Sequence, residues 1–305
     1  MHKFSLLLFL ILVSLTQAQE IRVLNETKAE IDGIYSHAMF SPNSEEMYFT
    51  TDNYIGLWKY NIESKNVEQI SDEMGAGYRF SFDKSGNKIY YRTDQFSQGK
   101  RYSTIIEKDL LTNRQSNIES NLRNATPPVI LNSGKSLYFV NNTLKEAGIA
   151  NESAKNDIAV LSRGYDIVLF RDGKTSELKP LGNKHYIWAS LSPDQNKVLF
   201  TVPGEGTFIS DIAGNILAEF GYANAAKWSG DSEYIVFMKD FDDGHVVTSS
   251  DIYVAKADGS FEQNITNSGN RIELYPSWSA DGSKILFNTS EGEIYYLTVE
   301  TAEEE

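Results

Sequence analysis

Residues Tyr275 to Phe287 read Tyr-Pro-Ser-Trp-Ser-Ala-Asp-Gly-Ser-Lys-Ile-Leu-Phe, a pattern that predicts a β-hairpin. An apolar strand ends at Trp278, a turn follows on Ser279, Asp281 and Gly282, and a second strand alternates Ile285 and Phe287 with residues of the opposite face. Gly accepts the positive φ of a tight turn, and short Ser and Asp side chains bond back onto its backbone.

The pattern recurs. Ala38 to Phe49, Tyr78 to Tyr91, Ala189 to Phe200 and Ala226 to Phe237 carry copies, the second with two extra residues in its turn. A degraded copy at Pro128 to Phe139 has Leu131 where the others have Ser. The second-strand positions Met47, Ile89, Leu137, Val198, Ile235 and Ile285 are separated by 42, 48, 61, 37 and 50 residues. Intervals of this size fit four short strands per unit, and a hairpin that cannot bury itself must stack on neighbours. The expectation is an all-β, six-bladed propeller with four-stranded antiparallel blades.

Further strands flank the hairpins, among them Ser250-Asp251-Ile252-Tyr253-Val254 ahead of Ala257-Asp258-Gly259-Ser260. This combination resembles the TolB-like (WD40-like) propeller repeat of secreted bacterial proteins, over nearly all of the chain and most strongly over Ala226 to Leu297. The resemblance implies an adaptor or interaction scaffold of the cell envelope, with protein or peptide partners on one face. The translocation protein that names the family has a separate N-terminal domain, whereas only a short segment precedes the first hairpin here. A role in that particular complex is therefore not expected.

Met1 to Ala18 has Lys3, an apolar run from Phe4 to Leu15, and Thr16-Gln17-Ala18 ahead of Gln19, the form of a cleaved secretory signal. Residues 19–305 are expected to be one propeller domain, a monomer in the periplasm or outside the cell. Ile21 to Leu24 is expected to supply the outermost strand of the last blade, which otherwise ends at Ile294 to Leu297, and so to close the ring and remove its exposed edges. In the third unit both Ile158 to Leu161 and Ile167 to Phe170 qualify as the third strand, and the pattern does not choose between them.

The formal charge of −14 disfavours nucleic acid and anionic membranes as partners. There is no cysteine, which excludes disulfides, thiol catalysis and a lipidated N-terminal Cys. No Gly-x-Ser-x-Gly elbow occurs. The acidic run Asp240 to Gly244 lacks calcium-loop spacing, and Met74 to Tyr78 leads into a strand and not into a phosphate-holding helix. The expectation is thus no catalytic residue and no cofactor.

The alternative is a propeller enzyme or lectin-like binder of acidic sugars, with a divalent metal held by His37, His185 and His245. Three long segments, Thr93 to Ser103, Asn141 to Asp157 and Lys239 to Ser250, follow second strands and are expected as loops on one face. Aligning the units places His37, Gly77, Pro127, Trp188, Ala225 and Tyr275 at equivalent positions at the channel mouth on that face. Tyr35, His185, Tyr186, Asn224 and Glu273 lie close by. Large rings with a few polar groups around a concavity suit peptide, protein or glycan recognition.

Overall fold

The computed structural model describes residues 21–148 and 157–301; the expected leader at 1–18 lies outside them. Strand β1 (Ile21–Lys28) comes first. Blade 1 follows as β2 (Ser36–Phe40), β3 (Glu46–Thr50), β4 (Ile55–Asn61) and β5 (Val67–Met74). Blade 2 is β6 (Ser81–Phe82), β7 (Lys88–Ser97), β8 (Lys100–Asp109) and β9 (Gln115–Arg123). Blade 3 has β10 (Val129–Ile130), β11 (Ser136–Val140) and β12 (Thr143–Ala147), and blade 4 has β13 (Ile158–Arg163), β14 (Asp166–Arg171) and β15 (Lys174–Leu178). Blade 5 is β16 (Ile187–Leu191), β17 (Lys197–Val202), β18 (Gly206–Asp211) and β19 (Ile216–Glu219). Blade 6 is β20 (Asn224–Trp228), β21 (Tyr234–Asp242), β22 (Val247–Lys256) and β23 (Glu262–Asn264). Blade 7 is β24 (Glu273–Trp278), β25 (Lys284–Thr289) and β26 (Ile294–Thr301), with β1 on its outer edge.

The molecule therefore has seven blades, not six. Seven apolar clusters fill the interfaces between successive blades, and they run in a cycle from blade 1 through blade 7 and back. The second strand of the hairpin supplies the centre of most of them: Phe49, Phe200, Phe237 and Phe287 are fully buried.

The extra blade sits inside the 61-residue interval. Both Ile158 to Leu161 and Ile167 to Phe170 are strands, paired with each other in one sheet between blades 3 and 5. Its inner strand runs the opposite way from the inner strands of its neighbours. Asp157, at the start of β13, accepts a hydrogen bond from Ser133 N in the hairpin turn of blade 3 (3.0 Å). Tyr165, at its far end, accepts from Tyr186 N beside the start of β16 (2.9 Å). Blade 4 thus has no Ser-x-Asp turn on the lower face, which is why the repeat was invisible there. A cavity of about 420 Å³ opens on that side between Leu131, Asn132, Pro193 and Asp194.

The repeated turn owes its form to one side-chain device. Ser279 Oγ donates to Asp281 (2.6 Å) and accepts the Lys284 amide (2.9 Å); Ser192 and Ser229 do the same with Asp194 and Asp231. In blade 3, Leu131 leaves only the backbone bonds from Leu131 N to Lys135 O and from Gly134 N to Leu131 O. In blade 2 the turn closes on Asp83, whose carboxylate takes the Lys88 amide (2.8 Å), so the turn has no extra residues. Neighbouring turns also touch: a Cβ on Gly230 would lie 2.1 Å from the Ala280 carbonyl oxygen, a contact that only Gly permits.

Closure follows the expected route. β1 pairs antiparallel with β26 from Ile21 opposite Thr301 to Lys28 opposite Tyr295. Gln263 of blade 6 both donates to Ile21 O (2.9 Å) and accepts from Ile21 N (3.2 Å). Arg271 forms a bidentate pair with Glu26 at 2.7 and 2.8 Å. The first strand is therefore fastened to two blades by backbone, amide and charge.

Of the three expected loops, Thr93 to Ser103 and Lys239 to Ser250 are extensions of the β7/β8 and β21/β22 hairpins that rise beyond the blades. Asn141-Asn142 is a tight turn between β11 and β12. Part of the third segment, residues 149–156, lies outside the described residues.

Candidate binding site at the channel mouth

Each inner strand of blades 1, 5, 6 and 7 is interrupted by a bulge, with the pairing register shifting between Ser36 and Met39, Ile187 and Ser190, Asn224 and Lys227, and Leu274 and Ser277. The residue that enters the left-handed region there is His37, Trp188, Ala225 or Tyr275, at φ 53°, 55°, 51° and 53°. Such a backbone costs roughly 1–3 kcal/mol for a non-Gly residue and persists where the surrounding fold imposes it. Bulges re-aim side chains. These bring His37 and Tyr275 to the axis and place Trp188 on the same face.

Two of the six aligned positions were misplaced. In blade 2 the left-handed residue is Arg79 (φ 52°), not Gly77. Phe80-Ser81 imitates the Phe40-Ser41 step, but Phe82 pairs with Ile89 as Phe40 pairs with Met47, which displaces the alignment by two residues. Gly77 instead packs on Thr50, where a Cβ would lie 2.1 Å from Oγ1. Pro127 has no left-handed backbone.

An aromatic cluster forms on the side of blades 7, 1 and 2. The His37 ring lies 4.1 Å from Tyr275 and stacks on Tyr54 at 4.8 Å, and Tyr54 meets Tyr78 edge-on at 4.9 Å. The Arg79 and Arg92 guanidinium groups lie 5.8 and 5.4 Å from the Tyr78 ring. Arg92 is bound to Asp94 and to the Ala125 carbonyl. On the side of blades 5 and 6, Trp188, Asn224, Tyr222 and Val202 line a cavity of about 360 Å³. Asn224 and Tyr222 both donate to Asp240, at 2.9 and 3.3 Å.

Lys227, two residues past the bulge of blade 6, occupies the position held by Met39, Ser81, Ser190 and Ser277 in other blades. It keeps exposed surface, yet protein surrounds it, as expected of a side chain in a narrow lumen. Burial and the Arg79 charge lower its ammonium to about 8. His37 is lowered to about 4, chiefly by burial and further by Lys227, against the pull of Asp52. Burial, Asp52 and Asp240 raise the Tyr275 hydroxyl. Lys227 and Asp52 thus act on His37 with opposite sign, and Asp52 and Asp240 act together on Tyr275.

Of the remaining expected residues, Tyr35, Tyr186 and Glu273 pack into the protein, whereas His185 and His245 are exposed. Tyr186 is buried against Phe200, donating its hydroxyl to Gly182 O and accepting Leu181 N. Tyr35 packs edge-on against Phe49 and Trp58. Glu273 is fully buried beside Arg271 (3.0 Å), its carboxyl raised by desolvation. His185 stacks on Tyr165 at 4.4 Å, and His245 lies in the β21/β22 tip beside Asp243. Among the described residues no three His, Asp or Glu side chains gather in metal-binding geometry. Arg79, Lys227, Tyr54, Tyr78 and Tyr222 were not expected at the site; a lone Lys in an inner strand was the one available signal.

No family model and no curated protein matches the chain. Solved structures match its shape. The Cps50 (Swd1) β-propeller domain of Myceliophteria thermophila superposes with a TM-score of 0.57 at 9% identity, covering 91% of this chain and 99% of that one. An oligogalacturonate lyase from Vibrio parahaemolyticus gives 0.50 at 13%, covering 88% and 79%. TolB from Acinetobacter baumannii gives 0.49 at 15%, covering 89% and 65%. At such identities the likeness is one of fold, so what the comparisons place is the architecture: this chain is a β-propeller.

Proposed function

We propose that this chain is an exported binding propeller, a non-catalytic scaffold that engages an envelope protein or peptide through its mouth face. One observation carries the reading: the two hairpins that overtop the blades present Phe96, Phe241 and Val246 at 64%, 67% and 63% exposure. Large apolar side chains presented on paired strands gain free energy when a partner removes them from water, and aromatic anchors beside a concave pocket are the usual centre of such contacts. Tyr222 and Tyr165 are exposed as well.

The test is affinity capture from envelope extract with the mature protein and with a Phe96→Ser, Phe241→Ser, Val246→Ser variant. Capture of one stoichiometric protein by the first and not by the second supports the reading. Identical captures would overturn it. Stoichiometric manganese, calcium or zinc in the purified protein, together with turnover of an acidic sugar, would replace it with the enzymatic alternative.

A further inference from the structure

We infer that the cavity between blades 5 and 6 on the mouth face binds a neutral pyranoside, a binding activity beyond the engagement of a protein partner.

Trp188 is the first observation. It lines a cavity of about 360 Å³ together with Val202, Gly204, Gly221, Tyr222 and Asn224, a volume in the range of small-molecule sites. Its backbone lies in the left-handed region at φ 55°, and the equivalent bulge of blade 6 holds Ala225 at 51°. The bulge therefore does not call for an indole. A large ring carried on a strained backbone at a concavity is where strain marks function.

Asn224 is the second. Tyr222 and Asn224 are both fastened to the buried carboxylate of Asp240, at 3.3 and 2.9 Å. A carboxylate only accepts, so Asn224 turns its NH2 to Asp240 and keeps its carbonyl oxygen, which has no donor among the described residues, for a ligand hydroxyl. The same tie holds the Tyr222 ring, which is 52% exposed, so little freedom is left for a ligand to remove.

Charge narrows the ligand. Among the described residues no Lys, Arg or His lines the cavity, and its one acid, Glu205, is already paired with Lys184 at 2.6 Å. A carboxylate or phosphate would enter without a partner beside Glu205. An extended peptide brings one carbonyl for each N–H, whereas these side chains offer more acceptors than donors. A pyranose suits them: its C–H face meets the negative face of an aromatic ring, and its hydroxyls donate to the amide oxygen.

Isothermal titration calorimetry of the purified protein with neutral disaccharides tests the inference. The panel is cellobiose, maltose, lactose, mannobiose and chitobiose, with digalacturonate as the acidic counterpart and a pool of amidated hexapeptides as the peptide control. At least one neutral disaccharide is expected to bind with a dissociation constant of about 1 mM or tighter, and digalacturonate at least about tenfold more weakly. Trp188→Ala and Asn224→Leu are each expected to weaken that binding at least about tenfold. Both are checked for folding by circular dichroism, and Ala225 shows that the bulge accepts Ala. Lys65→Met on the outer surface and the hairpin-tip variant are expected to bind as the wild type does. No binding of any neutral disaccharide, binding of digalacturonate or of the peptide pool as tight or tighter, or unchanged affinity in either cavity variant would overturn the inference. Loss of sugar binding in the hairpin-tip variant would move the site off the cavity and overturn it as well. The scaffold reading is tested at the tips and the sugar site within the cavity, so either can fail alone.

Discussion

His37 and Tyr275 meet ring to ring at 4.1 Å across the seam between the first and last blades, each held there by a left-handed bulge at the same point of its inner strand. The contact exists only because the ring closes. It buries an imidazole beside a cation-bearing lumen, and that environment sets its protonation.

His37 is accordingly expected to stay neutral at all pH values near 7. Its ring is lowered to about 4 by burial first and by Lys227 second, while in the unfolded chain it titrates near 6.5. Between these values the unfolded state binds the extra proton, so stability is fully present above pH 6.5 and declines as pH falls toward 4. The contribution is about 1–2 kcal/mol once lumen water is allowed for. An NMR titration of His37 with no inflection between pH 5.5 and 8, and a flatter acid limb of stability in His37→Phe, are the outcomes to look for.

Lys227 gives the opposite experiment on the alkaline side. With its folded ammonium lowered to about 8 and its unfolded one near 10.4, the unfolded chain holds the extra proton between those values. The wild type is therefore expected to gain stability as pH rises from 8 to 10. Lys227→Met removes a charge that protein only partly encloses, so it is expected to be more stable at pH 7, by at most about 1 kcal/mol given the surface the side chain keeps, and to lack the alkaline gain. Thermal melts of both proteins from pH 7 to 10 check this; parallel curves would show that the lumen does not strain the ammonium.

These groups mark the limit of what the sequence discloses. Ser-x-Asp and Ser-x-Asn turns announce a hairpin because the hydroxyl and its partner two residues on must sit at fixed offsets to reach the second-strand amide, and so blades 1, 5, 6 and 7 were legible from Ser41, Ser192, Ser229 and Ser279, blade 2 from the Asp83 turn and blade 3 from its degraded copy at Pro128 to Phe139. Blade 4 turns at Arg163 to Asp166 with no such device, and its strands were read as rival candidates for one place. Bulge residues His37, Trp188, Ala225 and Tyr275 were found by counting from the turns; Arg79 was missed because Phe80-Ser81 copies the pattern two residues early. Proximity between blades, as between Tyr54 and Tyr78, leaves no trace in spacing.

The turn device itself can be measured. Ser279 is fully buried and joins Asp281 to the Lys284 amide, so Ser279→Ala leaves a buried N–H without its partner. A loss of about 1–3 kcal/mol is expected, read from urea unfolding. Asp83→Ala in blade 2 should act by the same route, since its carboxylate replaces the serine. Leu131→Ala in blade 3 should instead lose apolar packing, because its turn uses backbone bonds alone, and a loss of about 2–5 kcal/mol is expected there.

Closure of the ring yields the sharpest stability test. Ile21 is fully buried in the cluster between blades 6 and 7, packed with Val236, Trp278 and Val299, so Ile21→Ala is expected to cost about 2–5 kcal/mol. Gln263→Ala removes two hydrogen bonds to the Ile21 backbone and is expected to cost about 1–3 kcal/mol. The two changes share a partner, so their effects should be less than additive: once Ile21 no longer anchors β1, the amide of Gln263 has less to hold. A double-mutant cycle by denaturant unfolding checks it. Full additivity would mean that the Ile21 side chain and the Gln263 amide hold β1 independently, and no loss in either single variant would mean that β1 is held by its pairing with β26 alone.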